Sequence, residues 1–398
     1  MKLLIVTYGS EGDTRPLAAL GDALVGAGHD VHLLGDPSTL GAAQALGLPC
    51  SALAGDIRAA LSAEGAMRDI NRNLLALAVA QTGAWLGQVL DAGRGCDAIV
   101  ASGLAAFVGL SAGEALGVPV IGAMLIPISP TSAFASPLLP FAPPRALNRA
   151  SHHLFNHVTW RLFRRATNRA RAGAGLPPRR RLWAEHPVLY GVSPALLPRP
   201  ADWPGNAHVC GQWIPPSAAW TPPADLVEFL DAGEPPVYVG FGSMSGFDNA
   251  RLVAAVAGAV GDRRALFSGG WSGIDPARLP ANFHAVGDVP HDWLLPRCAM
   301  AIHHGGSGTT HSACRAGVPS VVVPFAGDQP FWAERLRAAG VMRHALHGSS
   351  ISAARLAQAV AFADGDGARQ AAARLGERMR HDDGLATGVA LVERYAAA

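Results

Sequence analysis

Two α/β domains, each built on a doubly wound parallel sheet and facing each other across a cleft, are the architecture this sequence predicts. Three observations carry the prediction. The chain has 398 residues, too many for one core at about 150 residues per domain. Aliphatic runs without polar alternation, the pattern of strands buried on both faces, recur along it, several of them leading through a turn into a helical stretch. The series also opens twice in the same way, with LLIVTYGSEG from Leu3 and VYVGFGSMSG from Val237, each a buried strand running into a glycine-serine turn. Ligands of such sheets bind outside the C-terminal strand ends.

Leu3–Val6 is the first buried strand, and a helical pattern from about Arg15 to Ala27 follows until Gly28 stops it. A strand at Val31–Leu34, a helical pattern near Ser38–Leu46, a strand at Ala98–Ala101 and another within Val118–Leu125 repeat the alternation. The charge-free tract Ala115 to Pro144 is long enough to cross a bilayer, but Pro119, Pro127, Pro130, Pro137, Pro140, Pro143 and Pro144 interrupt it. It reads as a strand and an irregular loop. Arg145 to Arg181 holds ten arginines and no acid, interleaved at helical spacing with Leu147, Leu154, Phe155, Val158, Trp160, Leu162 and Phe163. A solvated arginine face over a packed apolar stripe is the preferred reading; docking on a membrane surface and a lid over an apolar substrate are the others.

Prolines cluster between Pro194 and Pro223, as in an interdomain connection. The first domain is therefore placed at 1–213, a linker at 214–223 and a second domain at 224–398, whose last helix could return to the first. The second domain restarts with a strand at Val237–Phe241, a helix from about Asn249, strands at Ala265–Ser268, Phe283–Val286, Ala299–His303 and Ser320–Val323, and a helix from Gln329.

Composition removes several function classes. With 32 basic and 30 acidic side chains the net charge is +2, so no global field favours nucleic acid as a partner. Hydrophobic residues make up 49% and charged ones 16%, which excludes a mainly disordered chain. Lys2 is the only lysine, which rules out a P-loop lysine and a Schiff-base lysine. Cys50, Cys96, Cys210, Cys298 and Cys314 are scattered, never in a Cys-x-x-Cys pair, and suggest neither a disulfide framework nor a zinc site. The short apolar run at the N-terminus is no signal peptide, so a cytoplasmic location is expected, peripheral at the inner membrane face if the basic helix docks.

The strongest chemical signal is AMAIHHGGSGTTHSACRAGVPSVVVPFAGD, from Ala299 to Asp328. A strand ends there in His303 and His304, and a glycine-rich turn opens a helix. Backbone N–H groups at that helix start, with Gly305, Gly306 and Gly308 permitting close approach and Ser307, Thr309 and Thr310 adding hydroxyls, form an anion site suited to a diphosphate. The bland alternative is an ordinary strand-to-helix turn. Metal ligation by the two histidines is disfavoured because neighbours leaving a strand point to opposite faces.

The run His304-Gly305-Gly306-Ser307-Gly308-Thr309, then Ala316-Gly317-Val318-Pro319 and Asp328-Gln329, resembles the C-terminal signature of family 1 glycosyltransferases. Val289-Pro290-His291-Asp292-Trp293-Leu294 and Pro330-Phe331-Trp332 make it most similar to the sterol glucosyltransferase branch and the bacterial antibiotic glycosyltransferases. The opening Gly9-Ser10-Glu11-Gly12-Asp13-Thr14-Arg15-Pro16-Leu17 resembles the same branch's first motif; the stretch from about Ser129 to Pro200 matches nothing.

The resemblance implies a GT-B fold, with a lipophilic acceptor held mainly by the first domain and a nucleotide sugar by the second. It implies that His304 contacts the diphosphate, that Ser307, Gly308 and Thr309 complete the cradle, and that Asp328 and Gln329 bind sugar hydroxyls. Val289 and His291 would lie near the base, Ser10 and Ser243 would reach the phosphates across the cleft, and Trp271 would occupy a nucleotide-side loop or simply pack.

Asp13 is the candidate general base, since inverting transfer needs a proton acceptor beside the acceptor hydroxyl. Plant members carry a histidine there with an orienting acid; this chain has Asp13, and Ser102 where that acid would be expected. The alternative role for Asp13 is a helix cap. Asp364-Gly365-Asp366 spells a metal-binding Asp-x-Asp but lies far in sequence from the phosphate turn, so neither a metal nor a resident cofactor is expected.

The expected activity is inverting transfer of a hexose, glucose first, from a UDP or dTDP sugar to a hydroxyl of a sterol, polyketide or similar natural product. A nucleotide-sugar isomerase or hydrolase on the same fold and a non-catalytic nucleotide-sugar-binding partner are the rivals.

Overall fold

The structure, a computed structural model, describes the chain apart from residues 63–66, 140, 142, 216–219, 243–248, 271–273, 347, 349–350 and 398, and apart from the side chains of 61–71 and 249. The first half runs β1 (Lys2–Val6), α1 (Glu11–Gly26), β2 (Asp30–Gly35), α2 (Gly41–Ala45), β3 (Cys50–Ala52), α3 (Ile57–Ser62), α4 (Met67–Ala92), β4 (Ala98–Ala101), α5 (Ala106–Leu116), β5 (Val120–Met124), α6 (Asn148–Gly173), β6 (Val188–Tyr190) and β7 (Ala207–Val209). The second runs α7 (Ala224–Asp231), β8 (Val237–Gly240), α8 (Asn249–Val260), β9 (Ala265–Ser268), β10 (Phe283–Val286), α9 (His291–Leu294), β11 (Met300–His303), α10 (Ser307–Ala316), β12 (Ser320–Val322), α11 (Gln329–Ala338), α12 (Ala353–Asp364), α13 (Asp366–Arg380) and α14 (Gly384–Ala396).

Among the described residues these strands form a seven-stranded sheet in the order β3-β2-β1-β4-β5-β6-β7 and a five-stranded sheet in the order β10-β9-β8-β11-β12. Every pairing in both is parallel. The uniform apolar runs have a direct cause: both faces of each strand are covered. Leu3 and Ile5 pack with Leu17, Leu20 and Leu24 of α1, while Leu4 and Val6 pack with Trp85 and Val89 of α4 and Val108 of α5. In the second sheet Val237 and Val239 face α8 and α12, and Tyr238 enters a separate cluster on the other side.

The structure adds elements the sequence reading did not assign. Strands β3, β6 and β7 span three residues each, too short for periodicity to register. Helix α4 is the longest omission. Its Arg72–Ala92 stretch is long and apolar enough to cross a membrane by length and composition, yet in the fold it lies against α5 and α6 and buries Ala78, Thr82, Trp85, Leu86 and Val89. The apolar positions of α6 divide: Trp160 and Phe163 are buried, whereas Leu154, Val158 and Leu162 are exposed.

Two features tie the halves together. One hydrophobic cluster combines Phe134, Tyr190, Val192 and Trp203 from the first half with Phe331, Trp332, Leu336 and Leu375 from the second. The chain also returns: α14 lies on α1 and β5 and places Val392 in the first sheet's core. Trp213, at the exit of the first half, is 1% exposed, and its indole N–H donates to the Gly384 carbonyl at 3.1 Å. Trp213→Ala removes that ring and the bond together, and is predicted to cost about 3–5 kcal/mol in urea unfolding; a loss below about 1 kcal/mol would show that the returning helix is held by other contacts.

Candidate active site

A cavity of about 2400 Å³ opens between the C-terminal ends of the two sheets. In both sheets the strand order turns back at one point, between β1 and β4 and between β8 and β11, and the loops leaving these strands line the cavity. The lining contains Ser10, Gly12 and Asp13 from the first half and Val289, His291, His304, Gly306, Ser307, Gly308, Thr309, Asp328 and Gln329 from the second. Ser243 and Trp271 lie outside the described residues.

Asp13 is the third residue of α1, which starts after Ser10. Its Oδ2 accepts the Ser10 backbone N–H at 2.7 Å and the Ser10 hydroxyl at 3.0 Å. The carboxylate is therefore a helix cap and a cleft residue at once. Among the described residues no hydrogen-bond donor reaches its Oδ1. Burial pushes the carboxyl above its ordinary range, against the two bonds from Ser10. The Ser10 hydroxyl donates to Asp13 while Ser10 lines the cavity, so a phosphate contact from it would share or replace that bond. At the neighbouring strand end Ser102 is buried and lines the same cavity. Two residues further along α1, the Arg15 guanidinium donates to Asp288 of the opposite half at 2.9 Å, beside Val289.

On the second sheet the two histidines part company. His303 is buried, with its Nδ1 accepting the Gly305 N–H at 3.1 Å, and only His304 lines the cleft. The His304 ring occupies a slot between two glycine turns. A Cβ on Gly242, whose φ is +59°, would come within 2.9 Å of ring Cε1, and one on Gly306 within 2.4 Å of Nε2. Burial holds the imidazole down to about 4, with the Gly240 carbonyl opposing and His291 adding to the depression. At neutral pH it is uncharged, and its Nδ1 is buried without a protein partner among the described residues. Helix α10 begins after Gly306 without a side-chain cap, which leaves the first-turn N–H groups beside Ser307, Gly308 and Thr309 for an anion.

A chain of contacts positions this turn. The His311 ring, one helical turn along, has Nδ1 at 2.7 Å from the Ser307 carbonyl and packs edge-on against Trp332 at 4.9 Å. The Trp332 indole donates to Asp328 Oδ2 at 2.5 Å. Burial raises the Asp328 carboxyl to about 6; the Trp332 bond opposes this, and Asp13 across the cleft adds to it. His291, whose Nε2 is 3.0 Å from the Tyr238 hydroxyl, is held down to about 4 by burial and by Arg15.

Gln329, in the cleft lining as expected of a sugar contact, also shapes its own turn. Its Oε1 accepts the N–H groups of Phe325 and Ala326 at 2.6 and 3.1 Å. An amide satisfies adjacent buried N–H groups as readily as a hydroxyl pair. Asp364 of the Asp-x-Asp sequence pairs with Arg263 at 2.7 Å and Arg369 at 3.2 Å and is not among the lining residues. His311, Trp332 and the Arg15–Asp288 pair were not foreseen as parts of the site. The first two stand at i+4 from Ser307 and Asp328, a spacing that places side chains on one helix face; residues 15 and 288 have no sequence signal linking them.

Beyond Asp13, into the first half, the wall turns apolar, with Phe107, Leu110, Leu125, Ile126, Ile128 and Trp160. One end of the cleft can hold an anion and the other a lipophilic body, with a carboxylate between them.

These ionisations set a pH dependence. His186, His291, His304 and His311 are each held down to about 4 and His303 to about 3 by burial, from an ordinary value of 6.5. The unfolded chain therefore binds more protons than the folded one as pH falls below the ordinary histidine value, so stability is full above it and declines toward the folded values. Asp328, raised from 3.8 to about 6, works the other way over most of that window, as do the raised carboxyls of Asp13 and Glu11, but the five histidines outnumber them. The thermal midpoint should fall between about pH 7 and pH 4.5, less steeply in His311→Asn; a flat profile would contradict the buried neutral imidazoles.

Comparison with known proteins agrees with this geometry. Residues 271–386 match the family model described as the C-terminal domain of erythromycin biosynthesis protein CIII-like proteins. The chain is 35% identical to O-mycaminosyltylonolide 6-deoxyallosyltransferase of Streptomyces fradiae, over all of this chain and 98% of that protein. It is 30% identical to sterol 3-beta-glucosyltransferase UGT80A2 of Arabidopsis thaliana over 98% of this chain and 33% identical to sterol 3-beta-glucosyltransferase of Candida albicans over 85% of it. It spans 64% and 24% of those two longer proteins. The fold matches glycosyltransferase VinC, solved in complex with dTDP, at a TM-score of 0.69 and 21% identity over the whole of both chains. It also matches glycosyltransferase SnogD from Streptomyces nogalater at 0.65 and 22% over 99% of each. With a relative of this identity aligned end to end and two parallel-sheet domains of the GT-B type, the chain belongs to the family 1 glycosyltransferases, in the group that holds macrolide glycosyltransferases and sterol glucosyltransferases.

Proposed function

We propose that this glycosyltransferase moves a hexose, with inversion, from a nucleoside-diphosphate sugar to a hydroxyl of a lipophilic natural product such as a sterol or polyketide. The observation that carries this reading is the position of Asp13. It is fixed through one oxygen to Ser10, with the other accepting no hydrogen bond among the described residues, at the junction of the apolar wall and the uncapped helix start. In the proposed step the acceptor hydroxyl gives its proton to Asp13, and its oxygen forms the new bond to the anomeric carbon. The bond from that carbon to the diphosphate breaks, and the electron pair leaves with the nucleotide. A raised carboxyl pKa moves the base toward the working pH.

The charge that develops on the diphosphate would meet the first-turn N–H groups of α10 and a neutral His304, whose N–H can donate without the cost of burying a cation. That set needs no metal ion, and the pairing of Asp364 with two arginines supports leaving the Asp-x-Asp sequence out of the reaction. His291 and Val289 would flank the base. Asp328, steadied by Trp332, would accept a sugar hydroxyl, while Gln329 would act by shaping its turn.

The sterol glucosyltransferase relatives favour glucose as the sugar, and our first reading takes it from a UDP donor. The Streptomyces fradiae relative and the dTDP complex of VinC favour a second reading, a dTDP-linked 6-deoxyhexose. Competition between UDP-glucose and dTDP-6-deoxyhexoses separates the two. We place the protein in the reducing cytoplasm, on its five free thiols, four of them buried.

Asp13→Asn keeps a carbonyl oxygen for the Ser10 cap but cannot take a proton. It should lose on the order of 10²–10⁴ in kcat with donor affinity unchanged; wild-type turnover at saturating acceptor would leave Asp13 a cap alone. In the same assay consumption of the donor should require an acceptor, whereas an isomerase or hydrolase would consume it without one. Full activity should persist in EDTA, and complete loss reversed by a divalent ion would overturn the metal-free reading.

A further inference from the structure

Among the described residues, eight large hydrophobic side chains are exposed, and five of them lie in one segment: Phe141, Leu147, Leu154, Val158 and Leu162. Scattered single leucines at a surface are ordinary, but a contiguous group is not. Leu154, Val158 and Leu162 stand at i, i+4 and i+8 on α6, a continuous ridge with exposures of 53%, 46% and 50%. Arg161, Arg165 and Arg169 form a second exposed ridge at the same spacing, one residue over. The stretch from Arg145 to Arg181 contains no acid. Arg171 and Arg179 share one carboxylate, Glu114, and Arg161, Arg164, Arg165, Arg169, Arg180 and Arg181 make no ion pair among the described residues.

The inner side of the same helix belongs to the cleft. Phe155, Thr159, Trp160 and Phe163 line it, and Arg161, Arg164, Arg180 and Arg181 stand in the lining as well. A lipophilic acceptor thus reaches the apolar wall past a rim of unpaired guanidinium groups whose outer face carries the aliphatic ridge.

We propose that this outer face of α6 docks on an anionic lipid bilayer, so that the acceptor passes from the membrane into the cleft without crossing water. The ridge can enter the headgroup boundary while the arginines snorkel to the lipid phosphates. A second copy of the chain fits poorly, because pairing two such faces would bring unpaired arginines together. Delivery of the acceptor rests on the glycosyl-transfer reading; the docking itself does not.

The test is co-sedimentation of the full chain with phosphatidylcholine vesicles with and without phosphatidylglycerol. The protein should sediment with the anionic vesicles only, and high salt should release it as the Debye length contracts from about 10 Å at 0.1 M to about 3 Å at 1 M. Arg165→Gln with Arg169→Gln, both clear of the cleft lining, should weaken partition roughly 25-fold, at about five-fold per arginine. Leu154→Ser, Val158→Ser and Leu162→Ser together should abolish it, with the thermal midpoint and transfer to a detergent-solubilised acceptor unchanged. Failure of the wild type to bind anionic vesicles, or equal binding by both variants, overturns the proposal. So does a dimer in sedimentation velocity that the serine variant dissolves. Loss of transfer with vesicle binding intact would count against the catalytic reading alone.

Discussion

One oxygen of Asp13 closes the first turn of α1 on the Ser10 amide and hydroxyl, and most of the site's organisation follows from that restraint. A carboxylate free to rotate would find water or a nearby guanidinium. Held by two donors on the strand-to-helix turn, it stays at the end of a strand covered on both faces, where the cleft is its remaining neighbour. The capping bonds and the burial act on its proton affinity in opposite directions, and burial prevails. The group is rigid and more basic than an exposed aspartate, which is what proton abstraction from a hydroxyl requires. The cap and the proposed proton transfer would draw on the same side chain without conflict, since a carboxylate has two oxygens.

The opposite sheet reaches a similar end by different means. Its turn is anchored through neutral groups: the His304 ring between Gly242 and Gly306, the His311 Nδ1 beside the Ser307 carbonyl, and the Trp332 indole on Asp328. Burying uncharged imidazoles would leave the proposed phosphate end receptive to a dianion without placing a permanent cation there, and a bound diphosphate would draw a proton affinity upward that burial has depressed. The Arg15–Asp288 pair, within the cleft lining, and the Phe134–Phe331 contact both join the two halves.

Much of this was legible in the sequence because the buried strands leave no ambiguity of period. LLIV from Leu3 and VYVG from Val237 are apolar on both faces, and the glycines and hydroxyls that follow mark where the chain must turn. Helix α4 was not legible: it buries Ala78, Thr82, Trp85, Leu86 and Val89 on one face, but Ala76, Ala80 and Ala84 on its exposed side blur that stripe in the sequence. The chemistry of the site residues was readable from type and spacing, but their direction was not. Gln329 has the groups to bind a sugar and applies its oxygen to Phe325 and Ala326. Ser10 has a hydroxyl for a phosphate and gives it to Asp13. Pairs such as Arg15 with Asp288, or Ser193 with Asp382, exist only after the two halves have met.

The central claim is that the Asp13 carboxylate takes the acceptor proton, and the pH dependence of kcat at saturating donor and acceptor addresses it most directly. The account predicts an acid limb whose apparent pKa lies above the ordinary carboxylate value of 3.8, and predicts that this limb is absent from the residual activity of Asp13→Asn. An acid limb that persists unchanged in Asp13→Asn would assign the proton transfer to another group and reduce Asp13 to the cap of α1.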